Sequence, residues 1–206
     1  MALSIRDVQL DDLDSVLALN NAAGSTILPL DAAALRALYD QATYFRLAEI
    51  DGHIAGFLPA LREDADYHSS NFRWFRERYD AFTYIDRIVV AKPYRGLGLG
   101  RVFYADVTSY AEMRVPLLTC EVFLEPRDDV SLLFHGVWGF QEVGQRTMRS
   151  NGRRVALLAK TLCSFEFVRE TYLLDTGRLP DLPWLAERAR IDAASVPRRA
   201  RAAGGA

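Results

Sequence analysis

The chain has 206 residues, half of them hydrophobic, which is enough for one domain with a full core and an appendage. Its 25 basic and 27 acidic residues leave a net charge of −2, so no single-sign field favours nucleic acid as a partner. Two cysteines, Cys120 and Cys163, form neither a disulfide framework nor a zinc pattern, and with no signal-peptide core and no membrane-length apolar run they point to a cytoplasmic setting without a membrane partner.

Ser4 to Leu10 reads as a short strand. Asp11 and Asp12 are placed to cap a helix through Asn21, with Leu13, Val16, Leu17 and Leu19 as its apolar contacts. Pro29 and Asp31 introduce a second helix, Ala32 to Gln41. Tyr44 to Ile50 and His53 to Leu61 are strands joined at Asp51-Gly52, a strong hairpin signal. Glu63 to Tyr79 mixes charge with Tyr67, Phe72, Trp74, Phe75 and Tyr79, and reads as an ordered insertion with a short helix. Phe82 to Val90 is a strand. Arg101 to Met113 is a helix with Phe103, Val107, Tyr110 and Ala111 on one face. Leu117 to Leu124 is a strand, and Asp128 to Trp138 a helix closed by Gly139. Gln141 to Met148 and Arg154 to Leu162 make a last hairpin around Asn151-Gly152. Past Leu162, Phe165, Phe167, Val168 and Tyr172 suggest an ordered extension. It continues with a helix from Trp184 to Ile191 and a disordered basic tail from Pro197.

The most telling stretch is Arg95-Gly96-Leu97-Gly98-Leu99-Gly100-Arg101, where a strand hands over to a helix. Missing Cβ atoms let the backbone turn sharply and approach a ligand. The helix start offers unpaired N–H groups and a positive dipole end, and Arg95 adds a planar cation. Together these suit a phosphate or pyrophosphate. A P-loop is excluded because no Gly-Lys-Ser/Thr follows. A dinucleotide fingerprint fails because Arg101 stands where its third glycine belongs, and because the loop lies in mid-chain. The pattern Arg-x-x-Gly-x-Gly is satisfied by Arg95, Gly98 and Gly100.

That pattern resembles the acetyl-CoA pyrophosphate loop of the GNAT N-acetyltransferase superfamily. The strand Tyr84-Ile85-Asp86-Arg87-Ile88-Val89-Val90 and the helix Ser131-x-x-Phe134-His135-x-x-x-Gly139-Phe140 fall around it in the expected order, and the resemblance covers Ser4 to Leu162. It implies an α/β (α+β) GNAT fold: a central mixed, mostly antiparallel twisted sheet with splayed middle strands and flanking helices. Residues 1–162 form that domain, with 163–206 as the extension. The implied reaction moves an acetyl group from acetyl-CoA to a primary amine by direct attack in a ternary complex, with no metal. The backbone of Ile88, Val89 and Val90 would pair with pantetheine. Arg95, Gly96, Leu97, Gly98, Leu99, Gly100 and Arg101 would hold the pyrophosphate. Asp128, Ser131 and Phe134 would flank the cofactor from the next helix. The reading admits a homodimer.

Such chemistry needs a base for the amine, stabilisation of an oxyanion and a proton for the thiolate. Asp86 and Glu121 are the base candidates, since a carboxylate in an apolar strand is costly unless it is paired or wetted. Asp86 matches the family's usual position slightly better, and Arg87 offers a structural partner to either. His135 stands where similar sequences carry the tyrosine that protonates the departing thiolate. An imidazole can do the same near neutrality. Val130, Leu133, Phe134 and Val137 form the apolar stripe of that helix, which puts Ser131 and His135 on another, cofactor-facing side.

Two departures stand out. Similar sequences often bind pantetheine with an asparagine near the start of this helix, where this chain has Glu125 to Asp129 and offers Asp128 or Ser131 instead, and Phe123 ends a strand where a polar residue is frequent. A Ser131-His135-Asp128 hydrolase is disfavoured, because one helix cannot form the angular relay and no Gly-x-Ser-x-Gly elbow is present. A non-catalytic acyl-CoA-binding module is the stronger rival. The insertion, with Asp64, Asp66 and its aromatic rings, is expected to wall the acceptor pocket and to favour a small cationic amine.

Overall fold

A computed structural model of the chain describes residues 2–148, 152–175 and 177–180. Among them the strands are β1 (Leu3–Asp7), β2 (Tyr44–Ile50), β3 (His53–Arg62), β4 (Thr83–Ile85), β5 (Val89–Val90), β6 (Leu117–Phe123), β7 (Gln141–Thr147) and β8 (Arg154–Thr161). The helices are α1 (Leu13–Asn21), α2 (Ala32–Gln41), α3 (Ser70–Arg76), α4 (Leu99–Glu112), α5 (Asp129–Val137) and α6 (Ser164–Val168). One mixed sheet runs β1-β2-β3-β4-β6-β8-β7, with β5 beside β3. Only β4 and β6 pair in parallel. The expected helix Trp184–Ile191, the basic tail and the turn residue Asn151 lie outside the described residues.

Local chemistry accounts for most boundaries. Asp51 and Gly52 both take left-handed backbone angles, φ 49° and 79°, as a two-residue hairpin turn requires. Asp31 caps α2 by accepting from the Ala34 N–H at 2.7 Å, and Ser69 caps α3. The start of α1 differs from expectation. Asp12 is drawn into a bidentate pair with Arg6 at 2.7 and 2.8 Å, so Leu10–Asp12 forms a 3₁₀ turn. The helix then begins at Leu13 without a side-chain cap, and β1 ends at Asp7 rather than Leu10.

The helices cover both faces of the sheet. Phe103, Tyr104, Val107 and Ala111 of α4 pack on Ala48, Leu58, Ile85, Leu118 and Cys120. Phe165 and Leu173, from the segment after the sheet, join that same core. On the opposite face α1 and α2 cover Leu47, Phe57 and Val89, while α3 lays Phe72 and Phe75 against Phe82, Tyr84 and Leu157.

The strand expected from Phe82 to Val90 is broken. Ile85 faces Ala60 and Val89 faces Phe57, so the β4–β5 segment spends one residue more than β3 over the same span. This is a bulge at residues 86–88, which turns Asp86 and Arg87 out of strict alternation. The β4–β6 ladder covers only Thr83↔Leu118 and Tyr84↔Thr119. Beyond it the two strands part. The result is a V-shaped opening in the middle of the sheet.

Candidate active site

The opening is one cleft of about 1400 Å³. Its floor is residues 85–90 on one side and Cys120 to Phe123 of β6 on the other. At one end it meets the glycine loop and α5. At the other it is walled by Leu28 to Leu30 after α1, by Tyr67 to Ser70 before α3, and by Arg146 and Met148.

The glycine loop has the conformation its sequence requires. Gly96 and Gly98 sit at φ 80° and 87°, where a side chain is strained, and Gly98 is the N-cap of the 14-residue α4. The cap has no side chain, so the first amides of α4 face the cleft end bare. Gly100 has a different reason. A Cβ there would come within 3.3 Å of the Phe134 ring, so glycine lets α5 close against the first turn of α4. The Arg95 guanidinium ties the loop down, donating to the carbonyls of Val90 at 3.0 Å and Ala23 at 3.1 Å. Arg101 and Leu97 complete this end. Val89 and Val90 bond β3 along one edge only, leaving the other edge toward the cleft. Gly56, which the sequence reading missed, permits that pairing, because a Cβ there would lie 2.6 Å from the Val89 carbonyl.

The two acidic candidates both reach the cleft, in opposite states. The Asp86 side chain is 5% exposed and fully engaged. It accepts from Arg87 Nε at 2.6 Å and from the Tyr67 hydroxyl. Arg87 is in turn held by Asn20 Oδ1 at 2.8 Å and the Leu28 carbonyl at 2.9 Å. Among the described residues no cation bonds Glu121: it accepts from the Tyr84 hydroxyl at 2.5 Å and from Asn71 Nδ2 at 3.1 Å. Burial pushes its carboxyl up from 4.5 to about 7, a rise that these two bonds only partly oppose. Arg87 therefore serves Asp86, and the carboxyl poised near neutrality is Glu121.

His135 lines the cleft beside Ser131, as the helix pattern suggested, but from a buried position and without an apolar stripe packed behind it. The stripe Val130, Leu133 and Val137 faces outward, 81%, 71% and 83% exposed, while His135 is buried at 4%. The helix is turned because His135 packs against Tyr104 and Phe140, and Phe134 against Tyr104. His135 Nδ1 lies 2.7 Å from the Ser131 carbonyl, which can only accept, so Nδ1 carries the proton. Nε2 is then an acceptor, and the Tyr104 hydroxyl, 2.5 Å away, donates to it. Burial lowers the pKa of His135 and keeps the ring neutral. Ser131 Oγ is 3.4 Å from Nδ1, and Asp128 caps α5 through the Ser131 amide at 2.9 Å instead of touching the imidazole. No hydrolase relay exists here.

The insertion contributes less charge than expected. Asp64 and Asp66 are exposed and lie outside the cleft lining, because Tyr67 turns inward to Asp86 after them. Trp74 and Phe75 belong to the core, with Trp74 filling the space above Gly144. Tyr84, Asn71, Tyr104 and Arg146 were not assigned from sequence. They come from separate elements, and no local spacing links them. Among the described residues no group of three His, Cys, Asp or Glu could hold a metal, and no helix is long and apolar enough to cross a membrane.

Comparison with known proteins agrees with this architecture. No curated protein shows significant sequence similarity to the chain. The solved structures include a ribosomal-protein-S18-alanine N-acetyltransferase from Escherichia coli. It matches with TM-score 0.62 at 15% identity, over 78% of this chain and 94% of that one. Ard1 from Thermoplasma volcanium matches with TM-score 0.64 at 16% identity, over 79% and 99%. Naa50 from Arabidopsis thaliana, solved with the bisubstrate analogue CoA-Ac-MVNAL, matches with TM-score 0.57 at 16% identity, over 78% and 99%. At such identity these likenesses speak for the fold. The model of the acetyltransferase (GNAT) family matches residues 13–132, more than half of the chain, and with the split sheet and the glycine loop before α4 it places this protein in the GNAT acetyltransferase family.

Proposed function

We propose that this chain is an acetyl-CoA-dependent N-acetyltransferase that acts on a primary amine by direct attack in a ternary complex. The observation that carries the proposal is Glu121, a carboxyl without a cationic partner, held near pKa 7 in the cleft where β4 and β6 part. A base of that pKa takes a proton at neutral pH and returns it to solvent.

The glycine loop and the bare start of α4 would hold the pyrophosphate, and the free edge of β5 would pair with pantetheine. The amine nitrogen attacks the thioester carbonyl while Glu121, directly or through water, accepts its proton. The carbon–sulfur bond then breaks, and the thiolate takes a proton. The sequence pattern assigned that donation to His135, but Nδ1 holds its proton on the Ser131 carbonyl and Nε2 is an acceptor. We assign the donation to Tyr104, which would turn its one hydroxyl proton from Nε2 to the sulfur and regain a proton from solvent, with His135 as its positioning residue.

The test is a thiol-release assay of acetyl-CoA against a panel of amines, with thermal shifts by acetyl-CoA, CoA, ATP and NAD alongside. Amine-dependent thiol release and stabilisation by acetyl-CoA and CoA alone are expected. A ligand at 100 times its dissociation constant should stabilise by about 2.7 kcal/mol. Stabilisation without release on any amine favours the binding module, and a shift by ATP or NAD only removes the assignment.

A further inference from the structure

We infer that the acceptor carries a carboxylate, or a small anion of like geometry, and that Arg146 recognises it while the amine is presented to Glu121; this rests on the transferase reading above.

Arg146 projects from β7, the edge strand beyond β8. The register pairs Arg146 with Val155 and Val155 with Phe123. Paired residues share a sheet face, so Arg146, Phe123 and Glu121 all rise on one side. Two strand spacings and two residues of rise put the Cα atoms of Arg146 and Glu121 about 12 Å apart. A small aminocarboxylate, with a hydrogen bond of about 2.8 Å at each end, is of a size to link two side chains that rise from that separation.

The state of the guanidinium points the same way. Nη1 donates to the Ser70 carbonyl at 2.5 Å, which fixes the plane of the group against the start of α3. Its other nitrogens bond no carboxylate among the described residues. The acids at this end of the cleft cannot neutralise it. Asp86 is taken by Arg87, Glu121 is largely protonated below pH 7, and Asp64 and Asp66 lie outside. An arginine anchored on one side and open on the other is arranged for bidentate recognition of a planar anion. Leu30, Phe123 and Met148 line the space between and suit a short aliphatic spacer. The acceptor expected from Asp64, Asp66 and the aromatic rings was a cationic amine of small or moderate size. The charge at the site itself favours one with a negative end.

The experiment compares matched pairs: glycine, β-alanine and γ-aminobutyrate against methylamine, ethylamine and propylamine. It measures kcat/KM by thiol release, in the wild type and in Arg146→Gln and Arg146→Lys. At least one aminocarboxylate should exceed its matched amine by roughly tenfold to a hundredfold, the contribution of charge-assisted hydrogen bonds. That preference should vanish in Arg146→Gln and partly survive in Arg146→Lys. Circular dichroism and thermal stabilisation of both variants by acetyl-CoA report that the fold is intact. Equal rates on both members of each pair, or a preference that persists in Arg146→Gln, overturns the inference and leaves the transferase reading standing. No thiol release from either set, in a protein that acetyl-CoA stabilises, overturns both.

Discussion

Two strands part to open the cleft, and each brings one carboxylate to it. On the β4–β5 side Asp86 is paired with Arg87 and bonded by Tyr67. On β6 Glu121 meets only neutral donors, Tyr84 and Asn71, and its pKa rises to about 7. Both lie in apolar strands, and both look alike in the sequence. What separates them is a bulge. The extra residue after Ile85 brings Asp86 and its neighbour Arg87 together, with Asn20 and the Leu28 carbonyl to hold the cation. Glu121 lies in a regular ladder with β8 and has no such neighbour. A local irregularity in one strand thus gives one acid a cationic partner and leaves the other among neutral donors.

The sharpest way to break this contrast is Glu121→Gln. It keeps the shape and removes the base, so turnover should fall by roughly 10²–10⁴-fold with acetyl-CoA affinity unchanged. In the wild type kcat/KM should rise with pH through about 7, and that limb should disappear in the variant. Stability adds a second readout. A carboxyl whose pKa is raised in the fold is favoured protonated, so its contribution is full below 4.5 and is lost as pH climbs toward 7. Glu121→Gln should not show that loss in denaturant titrations across the window. Near wild-type turnover in Glu121→Gln would end its role as base.

Asp86→Asn probes the other side. It leaves Arg87 buried without its counter-charge, and breaking such a pair costs about 3–5 kcal/mol. Chemical denaturation should show that loss, while the folded fraction keeps its turnover. The reverse result, intact stability with turnover abolished, would exchange the roles of the two acids.

Tyr104→Phe tests the proton for the leaving group, away from both acids. Turnover should fall about 10²-fold, with the dissociation constant of acetyl-CoA preserved. His135→Phe should fall less, because the phenol remains and loses only its acceptor. Equal rates for Tyr104→Phe and wild type would leave the thiolate to solvent.

The smallest effect concerns the cofactor end. Gly98→Val forces a branched side chain into a left-handed conformation, at about 1–2 kcal/mol, so acetyl-CoA binding should weaken roughly tenfold. Arg95→Ala should weaken it less, since that guanidinium is already spent on the Val90 and Ala23 carbonyls. Calorimetric titration of both variants gives the order.

The glycine loop at one end of the cleft was legible because its determinants are contiguous. Left-handed turns at Gly96 and Gly98, a helix starting within a residue or two and a strand just before it are short-range consequences of the backbone, as is the Asp51-Gly52 hairpin. The carboxylate end was not legible. Whether Asp86 or Glu121 stays free depends on Arg87, Tyr67, Asn71 and Tyr84, which reach one another only across a bulge and from the insertion. The face of α5 was misread for the same reason. Val130, Leu133 and Val137 promised a buried stripe by period alone, but contacts with Tyr104 and Phe140 rotate the helix and bury His135 instead. Short-range pattern records torsional preference and periodicity. Which charges are neutralised, and which face of a helix turns inward, follows from groups distant in the chain, because electrostatics and packing act through space.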